Sequence, residues 1–201
     1  MGEHASRQSE SDDTECAGFR KTKILASNSG RCMEESFEGV GLHLGAGNVR
    51  WPYPWLNVDL TDGDIQCDLR QLSIPDNYAE RIAAIHVVEH FYQWEIQPLL
   101  AEWKRALKPG GKIILELPCM DKVLNYICFC MQNKIPIPSA FSWHVFWGNP
   151  KYQSELMNHK WGYTKAMIEA ELHQAGFAKI ELKTPNYHFP MRDMRVEAIK
   201  P

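Results

Sequence analysis

The chain has no apolar run near the ~20 residues that a bilayer crossing requires. Its opening stretch, MGEHASRQSESDDTE, carries acids where a secretory leader would carry its apolar segment. Both absences set the expectation of a cytoplasmic protein that meets no membrane. There is no CxxC pair. Cys16, Cys32, Cys67, Cys119, Cys128 and Cys130 stand singly in a chain too large to need staples, so reduced thiols are expected. Cys128 and Cys130, two apart, would point to different faces of a helix, and no metal site is expected from them. There is no basic excess either: the formal net charge of -3 gives no face for nucleic-acid phosphates. The short cluster Arg20, Lys21, Lys23 reads as solvated. No internal repeat and no low-complexity tract interrupts the chain.

What is present is an ordinary globular composition: 201 residues, 44% apolar and 23% charged, enough for one domain with a sizeable core. Residues 1–20 are polar and acidic, with nothing to bury, and are expected to form a disordered tail. Residues 21–201 make the single domain. Within them residues 21–37 are ambiguous, with Ile24-Leu25-Ala26 a short packing arm.

The ordered pattern starts at Val40-Gly-Leu-His-Leu44, an apolar run that ends in Gly45-Ala46-Gly47-Asn48: a strand and a tight turn. Further strands are expected over Trp55–Leu60, up to Cys67-Asp68-Leu69, and over Ile82–Val88, whose nearly continuous apolar character suits a strand covered on both faces. Ile96, Leu99, Leu100, Trp103 and Leu107 recur at helical spacing, with Pro98 tolerable only in the first turn. Pro109-Gly110-Gly111 should stop that helix and reverse the chain into a strand at Lys112–Leu117. Asp121–Gln132 reads as a helix. Thr164 can cap another, closed by Gly176, and strands at Ala178–Leu182 and Met194–Ile199 finish the chain. The alternation implies an α/β fold with a doubly wound, mostly parallel sheet. Ligands of such sheets bind at the carboxyl edge, where the strand order reverses.

Three anchors fall at that edge. The turn Gly45-Ala46-Gly47 lets a ligand approach backbone with no Cβ in the way. Asp59, ending the next strand, can accept hydrogen bonds from ribose hydroxyls, and Asp68 with Leu69 could meet an adenine. Each also has a plain reading as a turn, a loop entry or a cap. Together, LHLGAGN, NVDL, CDLRQLSIPDN, IHVVEHF and ALKPGGKIILELP, in that order over residues 40–118, resemble the class I S-adenosylmethionine-dependent methyltransferases. The resemblance is to the small bacterial-type branch of predicted methyltransferases in which the first helix is cut short, and it implies a Rossmann-like, mostly parallel sheet with an antiparallel last strand.

That resemblance implies roles. S-adenosyl-L-methionine would bind against Leu44, Gly45, Ala46 and Gly47, with Asp59 and Leu60 at the ribose, Asp68 and Leu69 at the adenine, and His86 and Val87 flanking the methyl-bearing end, leaving S-adenosyl-L-homocysteine as product. Glu89 and His90 would face the substrate or tie their segment to the sheet, the structural role being preferred for His90. The sequence departs from the pattern at His43, where an acid is usual, and at Val49, where a third glycine is usual. Gly47 and Asp59 are also too close for a first helix, since ten residues of helix rise ~15 Å and need two loops besides. Trp51-Pro52-Tyr53-Pro54 reads instead as a rigid loop.

Residues 133–163 carry Phe141, Trp143, His144, Phe146, Trp147, Tyr152, His159, Trp161 and Tyr163 without a clear period. They form either a substrate-covering insertion or a long loop anchored by its own aromatics. His144 and His159, with His86, are the candidate catalytic bases. The expected reaction is methyl transfer to an oxygen or nitrogen of a small-molecule or glycan acceptor. A non-catalytic methyltransferase-like binding module is the alternative. A nicotinamide-dependent oxidoreductase is disfavoured, because the glycines do not spell GxGxxG and the acid follows far sooner than ~20 residues.

Overall fold

The computed structural model describes residues 38–201. The expected tail, the short arm, the basic cluster, Cys16 and Cys32 all lie outside the described residues. Seven strands form one sheet: β1 (Gly41–Leu44), β2 (Trp55–Asp59), β3 (Ile65–Gln66), β4 (Ala79–Ile85), β5 (Leu107–Pro118), β6 (Ala178–Lys183) and β7 (Asp193–Ile199), in the order β3-β2-β1-β4-β5-β7-β6. β1 to β5 are parallel, and β7 runs antiparallel to both β5 and β6. The mostly parallel α/β sheet with its reversed last strand is the one the sequence implies. The order reverses between β1 and β4, so a crevice opens at their carboxyl ends.

Four helices accompany the sheet: α1 (Ile96–Ala106), α2 (Met120–Asn133), the short α3 (Trp143–Trp147) and α4 (Lys165–Gln174). Alternation along the strands decides what α1 and α4 meet. Leu42 and Leu44 of β1, Val58 of β2, Ile82 and Ala84 of β4, Ile113, Leu115 and Leu117 of β5, and Val196 of β7 share one core. Ile96, Leu99, Leu100 and Trp103 of α1, with Ile168 and Leu172 of α4, close over it. Each large apolar side chain buried there contributes roughly 1.5–3 kcal/mol. Thr164 caps α4, its Oγ1 accepting from Met167 N at 3.2 Å. Lys104 Nζ donates to the carbonyls of Ala175 and Gly176 at 3.1 and 2.7 Å, satisfying the exposed carbonyl end of α4 from the neighbouring helix.

The opposite face is built differently. β1 passes to β2 through residues 45–54 and β2 to β3 through residues 60–64, neither with a helix. His43, Asn57, Glu116, Arg195 and Glu197 lie buried on this side, beside Trp51, Trp55, Ala83 and Ile114.

Some boundaries differ from expectation: β3 ends at Gln66 and does not reach Cys67-Asp68-Leu69. β4 spans 79–85 rather than 82–88, because Val87 and Val88 lie in the turn beyond the strand while still packing into the same apolar core. β5 starts at Leu107, so Pro109-Gly110-Gly111 lies within it. Gly110 takes φ +78° there, and its N–H donates to the Lys200 carbonyl at 2.8 Å. Among the described residues no helix is long and apolar enough to cross a membrane. Cys67, Cys119, Cys128 and Cys130 are free thiols, Cys128 exposed and Cys130 buried on opposite sides of α2.

Candidate active site

The turn after β1 is held from both sides. Gly45 N and Ala46 N donate to the Val58 carbonyl at 2.8 and 3.2 Å, and Asp59 Oδ2 accepts from Gly47 N at 2.9 Å. Gly45 and Gly47 take φ +66° and +51°, the left-handed region where a side chain is strained. A Cβ on Gly45 would stand 2.7 Å from Val87 and 3.7 Å from Leu69, whereas one on Gly47 would meet nothing within 4 Å. Gly45, Leu69 and Val87 are therefore neighbours, and the space over Gly47 is open. Burial works against ionisation of Asp59, but the N–H groups of Thr61 and Gly47 outweigh it, and its carboxyl lies below the usual range.

A buried polar network supplies what a first helix would otherwise supply. Asn57 Oδ1 accepts from Trp51 N at 2.8 Å and from His43 Nδ1 at 3.1 Å, while Asn57 Nδ2 donates to the Trp51 carbonyl and to Asp64. His43 stacks on the Trp51 indole with centroids 4.1 Å apart. Burial holds the His43 ring neutral, its pKa lowered to about 4. The residue that departs from the usual acid thus pins the shortened connection.

The remaining implied cofactor residues divide. Leu44 is fully buried with its side chain in the apolar core, so only its backbone faces the turn. Ala46 is nearly buried, and Leu60 is half exposed. Leu69 is buried and its carbonyl accepts from Trp103 Nε1 at 2.9 Å. Asp68 is exposed and paired with Arg70, which also bonds Glu95 at 2.8 Å and lies over the Phe91 ring.

Beyond β4 the chain turns sharply at His86, a non-glycine residue at φ +54°. Strain of this kind costs on the order of 1–3 kcal/mol and persists only where surroundings enforce it. His86 N donates to the Glu116 carbonyl at 2.7 Å. Its ring lies between two acids, with Nδ1 2.8 Å from Glu89 Oε1 and Nε2 3.5 Å from Asp193 Oδ2. Burial favours the neutral ring, but the two carboxylates outweigh it and raise the pKa of His86 to about 9. A protonated imidazole has no lone pair to take a proton, so this environment does not suit a base. The His188 ring lies 4.0 Å away, and burial together with the charge of His86 lowers its pKa to about 4. The loop carrying His188 is fixed by Glu116, whose carboxylate accepts from the N–H groups of Asn186, Tyr187 and His188, each at 2.9 Å.

The third constellation joins residues remote in sequence. Lys160 N and Trp161 N donate to the Glu89 carbonyl at 2.7 and 3.3 Å, which strap residues 158–161 against the turn after β4. His159 is thereby brought beside His90, ring centroids 4.9 Å apart and nearly perpendicular. Burial lowers the His159 pKa below the usual imidazole value. His144, half-buried on α3, stays outside this group, and its ring makes no hydrogen bond, ion pair or ring contact among the described residues. Met120, Val145, Phe146, Lys160, Trp161 and Gly162 line a cleft of about 260 Å³ next to the strap. Trp143 and Trp147, rings 5.9 Å apart, stay more than half exposed on α3. Larger clefts, of about 400 and 480 Å³, lie at the amino ends of the strands and between α2 and the last two strands, away from this chemistry.

Sequence reasoning named Glu89 and His90 as facing the substrate or tying their segment to the sheet, but it passed over His188 and Asp193 and did not foresee the grouping with His159. The acid-histidine pair after an apolar strand was its only local signal; the partners come from segments about 70 and 100 residues away and share no spacing rule with it.

Comparison with known proteins adds a partial sequence match and a shared fold. Residues 46–115 match the methyltransferase domain. An S-adenosylmethionine-dependent methyltransferase from Archaeoglobus fulgidus superposes with a TM-score of 0.56 at 15% identity, over 81% of this chain and 86% of that one. One from Thermotoga maritima does so at 0.56 and 14%, over 83% and 84%. The Haemonchus contortus phosphoethanolamine N-methyltransferase 2, solved with S-adenosylmethionine, gives 0.50 and 15%, over 81% of this chain and 49% of its own. No curated protein matches the sequence.

Proposed function

We propose, from the premise that this chain carries a class I methyltransferase domain on the corresponding fold, that it transfers a methyl group from S-adenosylmethionine to an oxygen or nitrogen of a small-molecule or glycan-type acceptor. The observation that carries the reading is the convergence of the Gly45–Gly47 turn, Asp59 and Val87 at the point where the sheet order reverses. The residues fit the cofactor: Gly47 offers uncovered backbone, and the Asp59 carboxylate, already bonded to the turn, keeps acceptor capacity for a ribose hydroxyl. Leu69 and Val87 present apolar surface beside Gly45.

The cofactor, when bound, supplies an electrophilic methyl carbon. The protein's part is alignment, which in well-oriented intramolecular systems is worth up to ~7–11 kcal/mol. Met120, Val145, Phe146 and Trp161 would wall the acceptor cleft, and Lys160 would bring a positive charge to its rim. The segment 133–163 then serves as the covering insertion. A non-catalytic module gains no support from the geometry, since among the described residues no side chain fills the space above Gly47.

Calorimetric titration with S-adenosylhomocysteine tests the reading. The wild-type chain should bind one equivalent, and Asp59→Ala should weaken binding at least tenfold while keeping its circular dichroism. Absence of binding by the wild type would remove the enzyme reading.

A further inference from the structure

We infer that Glu89, His90 and His159 form a binding site for a single divalent transition-metal ion of the zinc or cobalt kind, with coordination positions left open. The inference does not rest on the methyl-transfer reading, because it is drawn from donor atoms alone and is tested with no nucleotide present.

One ligand atom from each of the three residues lies within 4.8 Å of the others, a spacing that an ion at ordinary bond lengths of ~2.0–2.2 Å can bridge. The two imidazoles are already oriented. His90 Nδ1 is 3.2 Å from the Asn158 carbonyl, and His159 Nδ1 is 2.7 Å from the Val145 carbonyl. A carbonyl oxygen can only accept, so Nδ1 carries the proton in each ring and Nε2 keeps the lone pair. That backbone-carbonyl buttress is the usual outer partner of a metal-bound histidine, fixing both tautomer and ring direction.

The carboxylate supplies the independent observation. Glu89 is 2% exposed, and neither of its oxygens has a hydrogen-bond partner among the described residues. His86 Nδ1 approaches Oε1 to 2.8 Å as a charge contact without an aligned hydrogen bond. A buried carboxylate oxygen left bare costs free energy, and native proteins rarely leave one so without a function. A cation bound by the adjacent imidazoles would satisfy it.

Two nitrogen donors and one oxygen donor select a borderline transition ion over magnesium or calcium, which take oxygen ligands. Three protein ligands leave at least one position open in a four-coordinate ion, as in zinc sites that bind water or substrate. Lys160 and Trp161, which line the 260 Å³ cleft, bond the Glu89 carbonyl, so the site adjoins that cleft.

The test uses the full chain stripped with chelator and titrated with Co²⁺ under visible absorption, then with Zn²⁺ in competition. One equivalent of Co²⁺ should give a ligand-field band that Zn²⁺ abolishes. His90→Gln and His159→Gln should each weaken Co²⁺ binding at least a hundredfold, while His173→Gln, on the exposed side of α4, should leave it unchanged. Glu89→Gln should do the same as the two histidine variants. Should it fail to fold, as judged by thermal melting, the half-exposed histidines still decide the matter. No saturable binding by the wild type, or binding that survives both histidine substitutions, overturns the inference.

Discussion

The two faces of the sheet keep the same strands in place by different physics. The face under α1 and α4 is apolar and closed by side chains such as Leu100, Trp103 and Leu172. The other holds buried polar and charged groups, His43, Asn57, Glu116, Arg195 and Glu197, where the crossovers after β1 and β2 contain no helix. Area closes the first face and specific hydrogen bonds close the second. Hydrophobic burial is non-directional and tolerates movement, whereas a buried polar network is stable only when its members are met at defined positions. The second face can therefore hold a short, rigid turn for a ligand, which a sliding helix would hold less tightly.

The contrast breaks most visibly on the apolar side. Trp103→Ala should destabilise by about 3–5 kcal/mol, from lost burial, the cavity left behind and the lost bond from Nε1 to the Leu69 carbonyl. Urea denaturation reads this directly, and a loss below about 1 kcal/mol would mean that α1 does not close the core. Trp103→Phe should recover most of it, because area dominates on this face.

On the polar side, Glu116→Ala should cost about 3 kcal/mol, for the opposite reason. Little apolar area is lost, but three backbone N–H groups lose their acceptor and Arg195 loses a carboxylate 3.8 Å away. The diagnostic is local. Hydrogen exchange at Asn186, Tyr187 and His188 should accelerate in this variant and stay unchanged in Trp103→Phe. Equal exchange in both would show that the loop over β5 is held by something other than Glu116.

The pH dependence of stability sharpens the comparison further. Unfolded His43 titrates near the ordinary value of 6.5, and in the fold its pKa is about 4, because burial disfavours the cation by more than the hydrogen bond with Asn57 favours it. Arg50 adds to that, and Asp59 works against it. Unfolding then takes up a proton between those values. The contribution is complete above pH 6.5, falls as the pH drops, and is gone below about 4, a difference on the order of 3 kcal/mol. Wild type and His43→Gln, unfolded in urea at pH 7 and pH 4.5, should diverge at the higher pH and approach each other at the lower. Parallel curves would show that His43 titrates in the fold as it does in the unfolded chain.

How far the sequence disclosed this architecture follows the same division. Apolar face and helix caps are local signals: period and end residues placed α1, α4 and the last strand because each depends on neighbours along the chain, whereas the reversal of that strand came only with the family resemblance. The run Ile82–Val88 misled by three residues, since burial in a ligand-edge turn looks like burial in a strand. The glycine turn and Asp59 were legible because both lie at strand ends, where topology sends them to one edge. The grouping of Glu89 and His90 with His159 was not, because it depends on a strap of hydrogen bonds between residues 89 and 160 that no periodicity announces. His43 looked like a lost acid, and its function as a wedge partner for Trp51 became visible only with the stacked rings.

The smallest stability effect lies where the faces meet, at the two glycines of the turn. Both have positive φ, so alanine at either costs backbone strain of about 1–2 kcal/mol. Space separates them. At Gly45 the new methyl would enter the Val87 side chain at 2.7 Å, so Gly45→Ala must also displace an apolar residue of the core. At Gly47 the methyl points into open space, and strain is the whole stability cost. Gly47→Ala should therefore lose only about 1–2 kcal/mol of stability, while losing more than tenfold in affinity for S-adenosylhomocysteine, because the methyl occupies the approach a ligand needs. Gly45→Ala should lose more stability than Gly47→Ala. A Gly47→Ala chain that binds as tightly as wild type would place the ligand away from this turn, whatever its stability.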